Sequence, residues 1–419
     1  MYAQERISEG CARIGIKLSD ISNFDLNTID MDFINNPYPV LTALRRESPV
    51  HYNSDGSVFL TRYQDCLAVY RSRDMLSNKQ DHFGEKFGQC PLLEHHTTSL
   101  IFNDPPYHTA VRKLISGAFT PRKLREMEEL IHRIVDKLLD NIAEQDEIDM
   151  VADFGMILPT EIISFMLGIP AEYRKKLRGY SISILGALDP VVSAQGMQAG
   201  NKAVSEFSDV LNDLINYRRA NPDGAQQGEV LESLIFGEHE GRVLTQQELI
   251  QNCIFILNAG HETTTSLVSN SVGLFLKNPA QHRLLIEDPN LILTSVEECL
   301  RIESPLQIGN RQANQDIDLK QHRIKKGTYI HTSIAGANRD PTAFENPDTF
   351  DITRRHNKHI AFITGIHVCL GATLARMEGR IALGKLFKRF PNMAINGTAA
   401  RLPLARFRGY THLPVKLNS

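Results

Sequence analysis

A glycine-flanked cysteine near the end of the chain is the strongest candidate for chemistry. Residues 362–371 read FITGIHVCLG, so Cys369 has Gly365 four residues before it and Gly371 two residues after it. Glycines let the backbone turn tightly and approach something large and flat. A helical pattern starts at Ala372, so the cysteine should lie just ahead of a helix N-terminus, where partial positive charge favours a thiolate over a thiol. A buried structural cysteine is the competing interpretation.

A second candidate segment interrupts a long apolar helix. Thr245 and Glu248 form a capping box that opens a helical pattern running to Lys277. The middle of this helix is apolar on all sides and should be buried, yet residues 258–266 read NAGHETTTS. A glycine costs about 1 kcal/mol inside a helix, and an unpaired buried charge costs far more. Either the helix emerges at the surface here, or these residues serve a function.

The cysteine segment resembles the haem-binding loop of the cytochrome P450 family, Phe-x-x-Gly-x-His-x-Cys-x-Gly. The residues that carry this match are Phe362, Gly365, His367, Cys369 and Gly371. The resemblance implies that Cys369 is the thiolate ligand of a haem iron and that the other four belong to the haem site. Many members of the family have a glycine directly after the phenylalanine, where this chain has Ile363. This departure bears on hydrogen bonding to the sulfur but leaves the ligand in place.

The polar segment of the long helix resembles the family's oxygen-activation motif, Ala/Gly-Gly-x-Asp/Glu-Thr, at residues 259–263. The resemblance implies that Ala259 and Gly260 leave room for dioxygen beside the iron. It also implies that Thr263 hydrogen-bonds the oxygen and that Glu262 relays protons from solvent. His261 occupies the variable position and is interpreted as a packing residue.

Two further sets of residues match the family pattern. Glu298 and Arg301 form its Glu-x-x-Arg signature, and the resemblance implies that Arg354 completes a buried network with them behind the haem. The side chains that would bind the haem propionates are His108, Arg112, Arg311 and His367. Guanidinium groups bind carboxylates with paired hydrogen bonds, which suits this role. For His108 and Arg112 a solvated basic helix face is an equally open interpretation.

The helical and strand patterns indicate a mainly α fold with small β-sheets in one unit. The resemblance implies that this unit is a single cytochrome P450-type domain over residues 1–419 with a long central helix over the haem. Residues 1–35 should be an irregular lead-in, residues 50–61 a β-hairpin around an Asp-Gly turn, and residues 77–100 a long loop. The remaining helices are predicted at 39–47, 63–72, 106–118, 121–143, 158–167, 171–188, 194–220, 246–277, 279–288, 292–303 and 372–390. Further strands are predicted at 308–313, 317–319, 329–332 and 413–417. Residues 221–228 are the most linker-like segment.

Composition excludes several classes of protein. The chain has 46 basic and 49 acidic residues and a net charge of −3, so no basic field indicates nucleic-acid binding. Its six cysteines are scattered without zinc-type spacing, which indicates free thiols in a reducing compartment. The N-terminal residues lack the apolar core of a signal peptide, and no uninterrupted apolar run approaches 18 residues. We therefore expect a cytoplasmic protein without a membrane anchor.

Together the resemblances imply a soluble, bacterial-type haem-thiolate monooxygenase. It would use haem b to activate dioxygen with two externally supplied electrons and would hydroxylate or epoxidise a small apolar organic substrate. A peroxide-driven peroxygenase on the same fold, which would not need the pair Glu262 and Thr263, stays open as an alternative. A non-catalytic haem-based sensor and a member that catalyses dehydration or rearrangement also stay open.

Electrons are expected from a ferredoxin or flavodoxin with its reductase, because the chain shows no flavin- or nicotinamide-binding extension. The docking surface would be a basic patch near Cys369 made of Arg112, Lys113, Arg376, Arg380 and Lys385; ordinary surface charge is the alternative interpretation. We expect a monomer. The walls of the substrate pocket should come from residues 77–100, 182–192, 306–309 and 409–411 and from the helix near Phe255. His95, His96 and Arg408 are equally compatible with a substrate carboxylate and with solvent.

Overall fold

A computed structural model describes residues 21–78, 80–222, 229–319 and 322–418 of the chain. Most of these residues are helical. The α-helices that begin before residue 200 are α1 Met31–Asn35, α2 Tyr38–Glu47, α3 Tyr63–Arg71, α4 Gln80–Phe87, α5 Pro91–Thr98, α6 Tyr107–Ser116, α7 Pro121–Ile142, α8 Ile157–Leu167, α9 Ala171–Gly186 and α10 Ala194–Ala220. Those that follow are α11 Glu229–Ile235, α12 Gln246–Lys277, α13 Pro279–Glu287, α14 Ile292–Ile302, α15 Ile334–Ala337 and α16 Ala372–Arg389.

Within the described residues, four small sheets accompany the helices. Their strands are β1 Val50–Tyr52, β2 Val58–Leu60, β3 Met75–Leu76, β4 Glu147–Asp149, β5 Ile308–Ala313, β6 Ile317–Leu319, β7 His322–Ile324, β8 Tyr329–Ser333, β9 Ala394–Ile395, β10 Ala400–Arg401, β11 Tyr410–His412 and β12 Pro414–Lys416. The largest sheet has the order β1-β2-β8-β5-β3, with β2 and β8 parallel and its other pairs antiparallel. It contains the predicted hairpin, and its strand β5 holds Arg311 beside the candidate site.

Helix α12 positions the second candidate segment. The predicted capping box is present, because Glu248 N donates to Thr245 Oγ1 at 3.2 Å and Thr245 N donates to Glu248 Oε2 at 2.9 Å. The helix packs against α8, α9, α10 and α16. These neighbours bury its polar middle as well as its apolar part, and Glu262 is only 1% exposed. The interpretation of residues 258–266 as a surface patch is therefore wrong.

The predicted loop over residues 77–100 is wrong, because most of this region forms α4 and α5. Helix α4 follows Asn78, whose side chain accepts a hydrogen bond from Gln80 N at 3.0 Å. Helix α5 starts with Pro91 at its first position, where the missing N–H costs nothing. Both helices are eight residues long, too short for their periodicity to stand out from their glycines and histidines.

Most other predicted helices have the expected bounds to within two residues. Helix α11 was missed by the sequence patterns, and the predicted linker at 221–228 lies mostly outside the described residues. Residues 1–20 of the predicted lead-in also lie outside them. The rest of the lead-in is not irregular: it contains a 3-10 turn at Leu26–Thr28, capped by Asp25, and helix α1, capped by Asp30.

One segment of the described residues, Met150–Leu167, has the length and apolar composition of a membrane span. Two-thirds of it is buried inside the protein, as in a core helix of a folded domain.

Candidate active site

The Cys369 loop is held in a conformation that requires one of its glycines. Gly365 opens a 3-10 turn with a φ of +77°, a conformation that favours glycine. A Cβ on Gly365 would lie 2.2 Å from the carbonyl oxygen of Tyr70. Cys369 N donates to the carbonyl oxygen of Phe362 at 3.0 Å, which closes the loop, and Gly371 is the N-cap of α16. The loop therefore holds Cys369 just before the helix, as its sequence predicts.

The Cys369 side chain is exposed at the wall of a cavity and is not part of the hydrophobic core, so the structural-cysteine interpretation is wrong. Removal of water by the surrounding protein raises the pKa of the Cys369 thiol. The backbone hydrogen bond of Gly371 and the positive charges of Arg112 and Arg376 lower it only in part. The loop alone does not favour the expected thiolate, whereas coordination to a metal ion deprotonates a thiol outright.

The cavity has a volume of about 340 Å³ and brings the two candidate segments together. The predicted site residues that line it are His108, Arg112, Ala259, Gly260, Thr263, Arg311, Phe362, His367, Cys369 and Gly371. Gly365 does not line the cavity, because it packs against the backbone of Tyr70. The rest of the wall is mostly apolar and includes Leu100, Ile101, Met166, Ile184, Leu185 and Phe255.

Helix α12 presents a small, partly polar surface to the cavity. Ala259 is exposed there, and the hydroxyl of Thr263 donates to the carbonyl oxygen of Ala259 at 2.6 Å. Gly260 has a packing role as well as a place in the wall, because a Cβ on it would lie 2.4 Å from Cδ1 of Ile163 on α8. A side chain at position 260 would therefore require the Ile163 side chain to move.

Glu262 does not line the cavity. Its carboxylate is buried between α12 and α9, where its Oε2 lies 3.7 Å from Nε of Arg178. Burial raises the pKa of Glu262 to about 7, although the charge of Arg178 acts in the opposite direction. His261 packs beside it, bonded to Thr160 Oγ1 through Nε2 at 2.8 Å, and burial lowers the pKa of His261 to about 3. This placement agrees with the interpretation of His261 as a packing residue.

Four nitrogen-bearing side chains gather at one edge of the cavity, and they suit a group that carries two carboxylates. Arg112 Nη2 donates to the carbonyl oxygen of Val368 at 2.8 Å, and His367 Nε2 lies 2.9 Å from Ser77 Oγ. The ring of His108 lies 4.2 Å from that of His367, and neither of its nitrogens has a partner among the described residues. Buried polar groups are normally hydrogen-bonded. The unpartnered His108, together with Arg112 and Arg311, therefore fits the propionates of a haem.

The predicted Glu-Arg-Arg network is present behind the Cys369 loop. Arg301 is fully buried and forms a bidentate pair with Glu298, in which both distances are 2.8 Å. Arg354 Nε reaches the same carboxylate at 3.1 Å. The outer groups of Arg301 donate to backbone carbonyl oxygens of Asn338 and Thr349 at 2.9 Å each. The network fixes the segment that leads into the loop.

The structure also corrects the predicted pocket. Residues 409–411 do not line the cavity, and Arg406 and Phe407 take their place. Arg408 is not available to a substrate carboxylate, because its Nε pairs with buried Glu303 at 2.6 Å. His95 and His96 are buried in the wall and do not stay in solvent.

Sequence reasoning missed one acidic residue of the wall. Glu378 on α16 is 3% exposed, and its Oε2 is fully enclosed without a hydrogen-bond partner. Burial raises the pKa of Glu378 to about 8. The signal was visible in the sequence, because Glu378 lies between Leu374 and Ile381 on the apolar stripe of its helix.

The chain is similar to known proteins along most of its length. The family model for cytochrome P450 matches residues 49–409. A biotin biosynthesis cytochrome P450 of Bacillus subtilis is 34% identical over 93% of this chain and 98% of its own length. A vitamin D(3) 25-hydroxylase of Pseudonocardia autotrophica is 36% identical, over 87% of this chain and 88% of that protein.

The same fold occurs in solved structures. The crystal structure of P450BioI in complex with an acyl carrier protein ligated to hexadec-9Z-enoic acid superposes with a TM-score of 0.87. It is 34% identical, and the match covers 92% of this chain and all of that one. Because the family model covers most of the chain and these relatives match it along most of their own length, this chain belongs to the cytochrome P450 family of haem-dependent monooxygenases.

Proposed function

We propose that this protein uses haem b to insert one oxygen atom of dioxygen into a C–H or C=C bond of an elongated, apolar substrate. The second oxygen atom leaves as water, which consumes two protons and two electrons supplied from outside. The observation that carries the proposal is the cavity that Cys369, Thr263 and the cluster around His108 line together. The chain would act as one haem-binding domain.

In this proposal each side of the cavity has a separate task. Cys369 Sγ binds the iron, and His108, Arg112 and Arg311 hold the propionates with His367. Haem, when bound, supplies the oxygen-transfer chemistry. The protein contributes the ligand, the orientation of the substrate and the supply of protons.

Thr263 would position a cavity water, and Glu262 would supply the protons. The Thr263 hydroxyl donates a hydrogen bond to the carbonyl oxygen of Ala259 at 2.6 Å, which leaves its oxygen lone pairs free to accept a hydrogen bond from that water. A carboxyl group with a pKa of about 7 can both take up and release protons near neutral pH. Because Glu262 lies beside Arg178, its side chain must turn from Arg178 toward Thr263 during each cycle.

The substrate would be apolar and long. The predominantly apolar wall supports this. So do two relatives: one is a vitamin D(3) 25-hydroxylase, and the structure of the other was solved in complex with an acyl carrier protein ligated to hexadec-9Z-enoic acid. A fatty acyl chain and a secosteroid share an extended hydrocarbon body. We infer that this shared shape is what the cavity selects.

The electron donor would be a ferredoxin or flavodoxin that docks beside the Cys369 loop. The predicted basic patch is smaller than expected, because Arg376 pairs with Glu297 at 2.7 Å and Lys385 pairs with Asp136 at 2.7 Å. Ile366, 52% exposed on the loop, instead offers an apolar centre for a docking surface. The free thiols of the five described cysteines support action in the reducing cytoplasm.

The absorbance spectrum of the reduced, carbon monoxide-treated holoprotein tests the ligand assignment. We expect the red-shifted Soret band of a thiolate-ligated haem. Cys369→Ser should abolish this band, and Cys90→Ser, a change at another free cysteine, should retain it. A wild-type band at the position of a neutral ligand, in folded protein that contains haem, would overturn the proposal.

A binding screen then tests the substrate class. Hexadec-9-enoic acid, its acyl carrier protein thioester and vitamin D3 would each be titrated into the holoprotein while the Soret band is followed. At least one should produce the blue shift that accompanies displacement of water from haem iron. If only short polar molecules produced the shift, the inferred substrate class would be wrong.

A further inference from the structure

His95 adds a polar ring to the mostly apolar wall of the cavity. It lies on α5, is 2% exposed and belongs to the cavity wall. Its Nδ1 is 3.0 Å from Oε1 of Gln251 on α12. Its Nε2 has no partner among the described residues, and unlike both ring nitrogens of the neighbouring His96 it is not fully enclosed.

The hydrogen bonds around Gln251 determine which nitrogen of His95 carries the proton. Gln251 Nε2 donates to Oε1 of Glu94 at 2.8 Å, because a carboxylate can only accept. The other end of the amide, Oε1, must then face His95 and can also only accept. His95 Nδ1 is therefore the donor, and in the neutral ring Nε2 is left as an acceptor.

The ring is neutral because it is buried. Removal from water lowers the pKa of His95 to about 4, although the hydrogen bond to Gln251 acts in the opposite direction. At neutral pH Nε2 therefore presents a lone pair and no proton. A substrate carboxylate has only lone pairs to offer at this position, so it would be repelled by the lone pair of Nε2.

Helix α5 is fixed on α12, so the position of this acceptor is fixed as well. Leu100 N donates to Oδ1 of Asn252 at 2.8 Å, and Asn252 Nδ2 donates to the hydroxyl of Tyr107 at 3.0 Å. Ser99 Oγ donates to the carbonyl oxygen of His95 at 2.7 Å. The two residues that anchor α5, Gln251 and Asn252, are adjacent on α12.

The acceptor lies far from the reacting end of the cavity. Gln251 precedes Thr263 by 12 residues on the same helix, a rise of about 18 Å. Another polar group of the wall, Asn258, has both amide atoms enclosed and is less accessible than His95 Nε2. His95 Nε2 is thus an accessible acceptor positioned to contact the remote end of a long substrate.

We propose that His95 Nε2 accepts a hydrogen bond from a hydroxyl or amide N–H of the substrate and so positions the end remote from the haem. This inference rests on the proposed function and adds the class of substrate, an extended apolar molecule with a hydrogen-bond donor at its far end. His95 is a positioning and specificity residue, because it acts on where the substrate lies and not on the reacting atoms.

The test compares two probes that differ by a single donor, 1-dodecanol and its methyl ether. Their dissociation constants are measured by Soret shift with the holoprotein. For each protein, the dissociation constant of the ether is divided by that of the alcohol. This ratio should be about three- to ten-fold larger for the wild type than for His95→Phe, the range expected for one neutral hydrogen bond. His282→Phe is the matched control, because His282 is a buried histidine that packs against Phe275 and Phe387 away from the cavity wall, and this variant should keep the wild-type preference.

A second variant and a ligand-free measurement complete the test. Gln251→Leu removes the partner of Nδ1 while His95 remains, and it should reduce the preference for the alcohol by allowing the other tautomer. Nitrogen-15 NMR of histidine-labelled protein should show His95 protonated at Nδ1 alone. A protonated Nε2, or an alcohol-to-ether ratio unchanged in His95→Phe, would overturn the inference, and if neither probe binds, the NMR result alone decides. Failure of the carbon monoxide spectrum, in contrast, would overturn the proposed function itself.

Discussion

Ile363 has a left-handed backbone, with a φ of +50°, in the loop that leads to Cys369. A β-branched side chain is strained there by about 1–2 kcal/mol, because its Cβ approaches the following carbonyl oxygen. This is the position at which many relatives in the family have glycine. The side chain is half-buried against the cluster that contains Tyr63, Leu67 and Ile360, so packing offsets part of the strain.

The first prediction is that Ile363→Gly is more stable than Ile363→Ala, by about 1 kcal/mol. Both variants lose the packing of the side chain, but only glycine also relieves the left-handed strain, which reverses the usual order of alanine above glycine. Thermal unfolding of the two holoproteins measures the difference. An alanine variant that is equally stable or more stable would show that position 363 carries no strain.

Glu378 predicts a dependence of stability on pH. Its pKa is raised from 4.5 to about 8, so the folded protein keeps a proton that the unfolded chain releases. The wild type should therefore lose stability as the pH rises through this window, whereas Glu378→Gln does not titrate there. The free energy of unfolding of the variant, minus that of the wild type, should increase from about pH 5 to about pH 8. A difference that stays constant across this range would contradict the raised pKa.

Local sequence patterns determine where α12 begins and ends, whereas contacts with residues far away in the chain hold α5 in place. The capping box correctly predicted where α12 begins, and the helical pattern that runs to Lys277 correctly predicted where it ends. Helix α5 was predicted as loop because it is held by Gln251 and Asn252, more than a hundred residues away in the chain. No local pattern contains such a contact.

The same limit applies to the candidate site. Motif spacing identified Cys369 and Thr263, because the loop and the helix each carry a local signature. The position of Glu262 beside Arg178 depends on how α9 packs on α12, and this packing is visible only in the fold.

The packing of α9 on α12 predicts how activity responds to pH. The charge of Arg178 lowers the pKa of Glu262, so Arg178→Gln should raise it above about 7. If Glu262 relays protons, the pH dependence of product formed per electron pair should shift toward alkaline pH. Arg174→Gln is the control, because Arg174 is on the same helix but pairs with Glu161 at 2.6 Å. An identical shift in both variants, or none in Arg178→Gln, would remove Glu262 from this role.

At the scale of the whole molecule, one buried charge network connects the helical part to the Cys369 loop. Glu298 and Arg301 lie on α14, and the network reaches across to the carbonyl oxygens that follow α15. Asn357 Nδ2 adds a bond to Glu298 at 3.1 Å, and Ile360 N donates to Asn338 Oδ1 at 2.8 Å. The segment that precedes the haem-binding loop is thus held by polar contacts on several sides.

This network predicts unequal effects for its two arginines. Arg301→Ala should cost about 3–5 kcal/mol, because it leaves buried Glu298 with Arg354 as its cationic partner and frees three backbone carbonyl oxygens. Arg354→Ala should cost clearly less, because the bidentate pair between Glu298 and Arg301 survives. Arg122→Ala is the control, because the Arg122 side chain is 84% exposed in its ion pair with Glu126. This variant should change stability by less than about 1 kcal/mol.

Denaturant unfolding of the three variants, with haem content measured in parallel, checks this order. Because the network supports the loop that carries Cys369, Arg301→Ala should also lose haem at a lower denaturant concentration than Arg354→Ala does. If Arg354→Ala were the more damaging change, the principal partner of Glu298 would be Arg354. The connection between α14 and the loop would then run through the less buried arginine.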